Sequence, residues 1–525
     1  MTGTSSLPST SLPSTFGQLK ASGYRQRSVK EELRANLLAR LRADQPLFPG
    51  IIGYDKTVLP GIVNAILSRH DFILLGLRGQ AKSRILRALA GFLDEHAPVI
   101  AGSDLNESPF EPILAASRQR VQEQGDDLPI DWMHRDERYH EKLATPDVTV
   151  ADLVGDIDPI KAATKRLSYA DEGVIHYGIV PRTNRGIFAI NELPDLAPRI
   201  QVALLNVLEE EDIQIRGFPI RIPLDIQLVF SANPEDYTNR GNIITPLKDR
   251  IDSQIITHYP DRMEHAMAIT AQEAWTERDG DYELRVPRYF KELIEEVTFE
   301  ARKSEFVDQK SGVSARMPIA LLENVLSNME RRAARLGEPV IYPRLTDLHT
   351  ALTAMTGKME LVYEGEQEGP VLVARKIIGQ AVKRTFRRYL PTPDVRSRDG
   401  GERGGQRRAG RSGQAERAER PEADETDSVY QPIVSWFAEG QTVDTSDDLA
   451  TEEYIRRFGR VAGLRDMAAE RFRIDEPEEL GLGMELVLEG LHQHSMLSKR
   501  DLESSTSYRD MLKAMFDQMT DDDTA

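Results

Sequence analysis

The chain alternates short apolar runs with longer amphipathic ones. Phe72 to Leu75 and Ile187 to Ile190 are apolar without interruption. Asp225-Ile-Gln-Leu-Val-Phe-Ser-Ala-Asn-Pro234 is mostly so, and Ser253 to Thr257 forms a fourth short run. Uninterrupted apolar runs of this length predict parallel strands covered on both faces. Residues 17–44, with Val29-Lys-Glu-Glu-Leu-Arg-Ala-Asn-Leu-Leu-Ala-Arg-Leu, have apolar positions at helical spacing. From 45 to 260 strands and helices alternate, which predicts an α/β fold with a parallel sheet. The stretch 100–180 is long for one connection. Its polar segment from Trp132 through Glu141-Lys-Leu-Ala-Thr-Pro predicts a second strand with insertions. Residues 261–390 read as helices, with helical periodicity at Leu321 to Leu326 and Leu345 to Met355.

The first strand leads into Gly76-Leu-Arg-Gly-Gln-Ala-Lys-Ser83. A buried strand, a tight glycine loop and a helix start with Lys and Ser form the architecture of a phosphate cradle. Gly76 and Gly79 let the backbone turn and bring N–H groups to phosphate oxygens. Lys82 is placed for the β- and γ-phosphates and Ser83 for Mg²⁺. The following helix, expected over Arg84 to Leu93, aims its positive end at the anion. Ala81 stands where the pattern G-x-x-x-x-G-K-[ST] has its second glycine.

The second half of the site is expected at Arg185-Gly-Ile-Phe-Ala-Ile-Asn-Glu-Leu-Pro-Asp195. Its strand ends in Asn191 and Glu192 where such enzymes normally carry Asp-Glu. Asn191 can accept a hydrogen bond from a metal-bound water but brings no charge. Glu192 keeps the role of base toward the attacking water. The strand ending in Ser-Ala-Asn offers Asn233 to the attacking water or the γ-phosphate. Arg250, closing Pro246-Leu-Lys-Asp-Arg250, suits a finger reaching a neighbour's nucleotide. Arg240 is a weaker candidate for that part.

Together these residues resemble the AAA+ ATPases of the MoxR and magnesium-chelatase I-subunit group, over about residues 45–390. The resemblance implies an AAA+ P-loop core with an α-helical lid. It implies that Phe48-Pro-Gly-Ile-Ile-Gly-Tyr54 touches the adenine, which puts Ile52 and Gly53 among the nucleotide-binding residues with Gly76, Gly79, Gln80, Ala81, Lys82 and Ser83. Tyr177 to Thr183 looks like the tip of the helix-2 insertion, and Glu209 to Pro223 like the hairpin before sensor 1. Ser314-Ala-Arg-Met317 resembles the sensor-2 motif, carrying that role onto Arg316. Catalytic roles then fall on Glu192, Asn233, Arg250 and Arg316, and metal-holding roles on Ser83 and Asn191. The implied cofactors are ATP and Mg²⁺. The implied partners are further copies in a hexameric ring and a client protein, of the von Willebrand A-domain kind. The departures are Ala81, Asn191 and Ala315, of which Asn191 bears on the chemistry.

The domain reading follows. Residues 1–44 form a disordered N-terminus and leading helix, 45–260 the nucleotide-binding core and 261–390 the lid. Residues 391–428 form a disordered linker with almost no apolar residues. Residues 429–525 form a small helical module, with Trp436-Phe437, Tyr454-Ile-Arg-Arg-Phe and Met484-Glu-Leu-Val-Leu-Glu-Gly-Leu.

Composition narrows the classes. The 525 residues are 40% hydrophobic, enough for a proper core. No run of 18 apolar residues predicts a membrane span. Met1 to Phe16 lacks the apolar stretch of a signal peptide. With 0 cysteines there is no disulfide framework or thiolate metal site, and the expected compartment is the cytoplasm. The net charge of -18 argues against non-specific nucleic-acid binding. His134, Glu137, His140 and Glu141 lie close enough on one helix to hold a divalent ion, but a solvated charged face is the expected reading. No Gly-x-Ser-x-Gly elbow occurs.

Three functions fit: an ATP-hydrolysing ring that remodels a partner, the I subunit of a magnesium chelatase proper, and a weakly hydrolysing nucleotide switch motivated by Asn191. A transcription activator of this class calls for a Gly-Ala-Phe-Thr-Gly-Ala loop, which is absent.

Overall fold

The computed structural model describes residues 12–166, 172–215, 221–234, 242–393, 423–501 and 505–511. The chain divides into two units, Met1–Pro260 and Asp261–Ala525.

The apolar runs become the centre of a five-stranded sheet in the first unit. Its strands are β1 (Phe72–Leu75), β2 (Tyr139–Leu143), β3 (Gly186–Asn191), β4 (Ile226–Ala232) and β5 (Ser253–Ile256). The order across the sheet is β5-β1-β4-β3-β2, and every neighbouring pair is parallel. The α/β fold with a parallel sheet is therefore as expected. Residues alternate between two hydrophobic layers, as the pleat demands. Phe72, Leu74, Ile187, Ala189 and Val229 pack with Leu33, Leu37, Ile62 and Leu86. Ile73, Phe188, Ile190, Leu228 and Phe230 pack with Leu153, Ile175, Val180 and Ile200. Strand β2 is the polar outer member, which explains why its sequence lacks an apolar run.

The helix expected over 17–44 is two helices, Phe16–Ala21 and Val29–Arg42. Gly23 lies between them at φ 76°, a conformation no helix contains. Val29–Arg42 starts at a capping box formed by Ser28 and Glu31. The helix after the glycine loop runs over Lys82–Ala88 and tightens into a 3₁₀ turn at Leu89–Phe92. In the long connection, His96–Ile100 and Ile130–His134 pair antiparallel before β2 begins. The His134 cluster thus lies on two strands and the 3₁₀ turn between them rather than on a helix. Glu141 is paired with Arg87, its carboxylate 2.9 Å from Nε. Among the described residues no group of His, Asp and Glu is arranged to hold a metal ion. Within Glu209 to Pro223, Asp212–Gln214 and Arg221–Pro223 pair antiparallel; residues 216–220 lie outside the described residues.

The second unit is mainly helical, with long helices at Arg288–Ala301, Arg316–Leu336, Pro370–Tyr389 and Leu480–Gln493. Three strands join them in an antiparallel sheet, with Ser505–Asp510 between Val443–Ser446 and Leu497–Asp501. Residues on both sides of the 394–422 stretch share one core, in which Phe290, Leu321 and Phe386 pack with Tyr430, Phe437, Leu486 and Leu491. The approach of Leu480–Gln493 to Pro370–Tyr389 is close: a Cβ at Gly490 would collide with the Phe386 ring. Buried polar contacts join the segments on either side of 394–422: Arg344 donates to the Leu449 carbonyl at 2.7 Å, and Glu485 accepts from the Leu345 N–H at 2.8 Å. No helix among the described residues is long and apolar enough to cross a membrane.

Candidate functional site

Because all five strands run the same way, their carboxyl ends share one edge. The loop 76–81 leaves β1 there, between β4 and β5. Gly76 donates its N–H to the Ala232 carbonyl at 3.1 Å, and Thr257 donates its own to the Leu75 carbonyl at 2.7 Å. Space is why residue 76 is glycine: a Cβ would run into Thr257 Oγ1 and Gln80 Oε1. Gly79 is at φ 74° and Ala81 at φ 57°, both left-handed. Ala81 occupies, at some backbone strain, the conformation that glycine adopts freely.

The carbonyls of this loop are tied down. Lys82 Nζ is buried and donates to the carbonyls of Gly76 and Leu77, the latter at 3.0 Å. Tyr259 donates its hydroxyl to the Arg78 carbonyl at 2.9 Å. Tyr54 donates to the carbonyls of Gln80 at 3.1 Å and His258 at 2.7 Å, and burial pushes its phenol up to about 12. Thr257 donates to Gln80 Oε1 at 2.6 Å. The carbonyls of Gly76, Leu77, Arg78 and Gln80 are thus all bonded to side chains of the protein. The segment holding Ile52 and Gly53, the latter at φ 82°, ends in Tyr54 and is thereby pinned to this loop.

Ser83, in the first turn of Lys82–Ala88, donates to Asn191 Oδ1 at 3.3 Å. Asn191 ends β3, is buried, and accepts a second hydrogen bond from Ser231 Oγ of β4 at 3.1 Å. Glu192 follows in the left-handed region, φ 55° and ψ 51°, with its backbone N–H donating to Ser231 Oγ at 3.3 Å. Asn233 comes directly after β4 on the same edge. Ser83 and Asn191, 108 residues apart in sequence, are thus brought into contact, with Lys82 and Glu192 adjacent to them along the chain and Asn233 at the end of β4 on the same edge.

Arg250 is not part of that group. It closes the helix Thr245–Arg250, where its Nε is 2.6 Å from Glu209 and an Nη is 3.0 Å from the Pro246 carbonyl. Arg240 lies outside the described residues. Arg316 belongs to the second unit, at the first position of Arg316–Leu336; its N–H donates to Ser314 Oγ at 3.1 Å.

The reading of the sequence assigns no role to Ser231, Thr257, Tyr259 or the Tyr54 hydroxyl. Ser231 had a signal: the two-residue period of a strand places it on the face of Asn233. For Tyr54, Thr257 and Tyr259 there was none, since their partners are distant in sequence.

No protein-family model matches the chain. Over 87 residues it is 32% identical to the hydrogenase transcriptional regulatory protein HoxA of Cupriavidus necator. That stretch is 16% of this chain and 18% of the relative, so the chain spans under a fifth of the relative's length. Among solved structures the chain is similar to the complex between subunits BchI and BchD of magnesium chelatase, at 20% identity and a TM-score of 0.33, over 62% of this chain and 99% of that one. It is also similar to NtrX from Brucella abortus, at 12% identity and a TM-score of 0.29, over 59% of this chain and 54% of that one.

Proposed function

We propose that the chain is a cytoplasmic AAA+ ATPase that couples ATP binding and hydrolysis, in an oligomeric ring, to remodelling or activation of a partner protein. One observation supports this reading: Ser83, in the first turn after a glycine loop, donates to Asn191 at the end of β3, at the carboxyl edge of a parallel sheet. That edge is where open α/β sheets hold their ligands. Ile52 and Gly53 would lie against the adenine. Gly76, Gly79, Gln80 and Ala81 would line the phosphates, and Lys82 would exchange its carbonyl partners for phosphate oxygens. Ser83 and Asn191 would hold Mg²⁺, which neutralises phosphate charge when bound. Glu192 would accept a proton from the attacking water and Asn233 would orient that water; the sensor-2 role falls to Arg316. Arg250 is the finger offered to a neighbouring copy. Its pair with Glu209 is partly exposed, and such pairs contribute about 0–1 kcal/mol, so releasing it costs little.

The test is complementation between copies. Arg250→Ala and Lys82→Ala chains are each inactive in ATP turnover. Mixed, they recover activity, because one lends its finger and the other its pocket. Loss of an arginine finger costs roughly 10³–10⁵ in rate, so partial rescue stands well above background. No rescue, with mixed assembly confirmed, removes the ring reading.

A second reading is favoured by Asn191 alone. A neutral amide there lowers the charge available to Mg²⁺, and the chain then works as a nucleotide switch with little turnover. Absent turnover in the wild type that Asn191→Asp restores selects it.

A further inference from the structure

The amide at position 191 poses a problem that an aspartate would not. A carboxylate offers two equivalent oxygens, whereas an amide has an accepting end and a donating end. Only with Oδ1 toward Ser83 can Asn191 take the Ser83 hydroxyl proton and leave the Ser83 lone pairs to a divalent cation. With the amide reversed, an N–H₂ group faces Ser83 and the cation, and repels the latter. Ser83 cannot select between these states by itself, because a hydroxyl donates or accepts with equal ease.

Ser231 supplies the selection. It lies on β4 beside the end of β3, where the register pairs Phe230 with Ile190, and it is 1% exposed. Its oxygen accepts the Glu192 N–H at 3.3 Å, and its own proton goes to Asn191 Oδ1 at 3.1 Å. Reversing the amide would turn Oδ1 away and deprive this buried hydroxyl of its acceptor, which is costly where water cannot substitute.

We infer that Ser231 is a positioning residue that sets the amide orientation of Asn191 and thereby makes a site with a neutral residue at 191 competent for Mg²⁺. This rests on the ATPase reading above. Ser231 acts through Asn191, and through the backbone of Glu192.

The experiment is a double-mutant cycle on the full chain. The Mg²⁺ concentration that half-saturates the complex with a fluorescent ATP analogue is measured for wild type, Ser231→Ala, Asn191→Asp and the double variant, with turnover recorded beside it. Loss of a residue that orients a metal ligand typically costs 10–100-fold, so Ser231→Ala should raise the Mg²⁺ requirement by roughly that factor and leave Mg²⁺-free nucleotide binding within about twofold. In the Asn191→Asp background the same substitution should shift it by less than about threefold, since a carboxylate has no orientation to set. Equal shifts in the two backgrounds mean a structural role only, and no shift in either means no role; both overturn the inference and leave the ATPase reading standing. If wild type binds no analogue at any Mg²⁺ concentration and Lys82→Ala behaves identically, the ATPase reading falls and takes the inference with it. Should Ser231→Ala melt below the assay temperature, Ser231→Cys, nearly isosteric with only a weak S–H donor, takes its place.

Discussion

The two ends of the sheet in the first unit are both rich in polar residues, and they use them differently. At the amino ends stand Asp71 before β1, Arg138 before β2, Arg185 before β3 and Asp225 before β4. All four are buried or nearly so, and all have partners. Asp71 is 2.9 Å from Lys30 Nζ and accepts the Leu228 N–H at 2.8 Å. Asp225 accepts the Val29 N–H at 2.9 Å. Arg138 forms a forked pair with Glu32 at 2.7 and 2.6 Å, and its Nε donates to the Arg185 carbonyl at 2.8 Å. Arg185 donates to the Pro98 carbonyl. These bonds clamp the helix Val29–Arg42 beneath the sheet. At the carboxyl ends the central groups are hydroxyls and an amide, Ser83, Asn191 and Ser231, with half-buried Glu192 and Asn233 beside them. Buried charge that is mutually satisfied builds the fold. Small adjustable dipoles at an open edge leave room for a ligand's charge.

That contrast can be broken at either end. The largest effect is expected at the carboxyl end. Glu192→Gln should bind ATP with wild-type affinity and hydrolyse it about 10²–10⁴ times more slowly, the usual worth of a positioned base. The melting temperature should hardly change. Unaltered turnover would remove Glu192 from the chemistry.

At the amino end the signature should be reversed. Arg138→Met leaves the Glu32 carboxylate buried without its counter-ion, a change that costs about 3–5 kcal/mol of stability. Chemical denaturation should register that loss, while the folded fraction keeps its nucleotide affinity. Weakened binding with stability intact would make the amino end part of the site.

The smallest effect is in pH dependence. Burial pushes the Asp225 carboxyl up to about 6, against the ordinary 3.8. A raised folded-state pKa means that the folded protein holds the proton more tightly than the unfolded chain. The associated stability is therefore complete below pH 3.8 and is lost as pH rises through about 6. Asp225→Asn abolishes this titration. Its melting temperature relative to wild type should rise between pH 4 and pH 7, by the equivalent of about 1–3 kcal/mol. A difference that is flat with pH would show that folding does not shift the Asp225 carboxyl.

Much of the first unit is legible residue by residue. Runs such as Phe72-Ile-Leu-Leu must be covered on both faces, and only a central parallel strand satisfies them simply. Gly76 and Gly79 are legible because a tight turn restricts residue type at both positions. The break at Gly23 was harder to read, since a single glycine is tolerated inside many helices. Strand β2 was legible as a strand but not as an outer one, because its half-polar pattern fits several positions. The amino-end charges carried no readable signal: Arg138 and Glu32 are 106 positions apart. In the second unit the helices are legible from periodicity. The short strands Val443–Ser446 and Ser505–Asp510 are not, since few residues and much polarity leave little pattern.

By itself, then, the sequence determined local conformation: which runs become strands and where the backbone must turn. It did so because steric limits and the need to bury apolar surface act within a few residues. Only the tertiary structure decided which strand lies beside which, so that β4, some 150 residues after β1, becomes its neighbour. The pairing of β4 with β3 likewise put Ser231 in contact with both Asn191 and Glu192. The tertiary structure also joined the segments on either side of 394–422 into one core. Such choices depend on contacts whose chain-closure entropy grows only slowly with separation, and whose energy comes from packing and hydrogen-bond partners that no local pattern encodes.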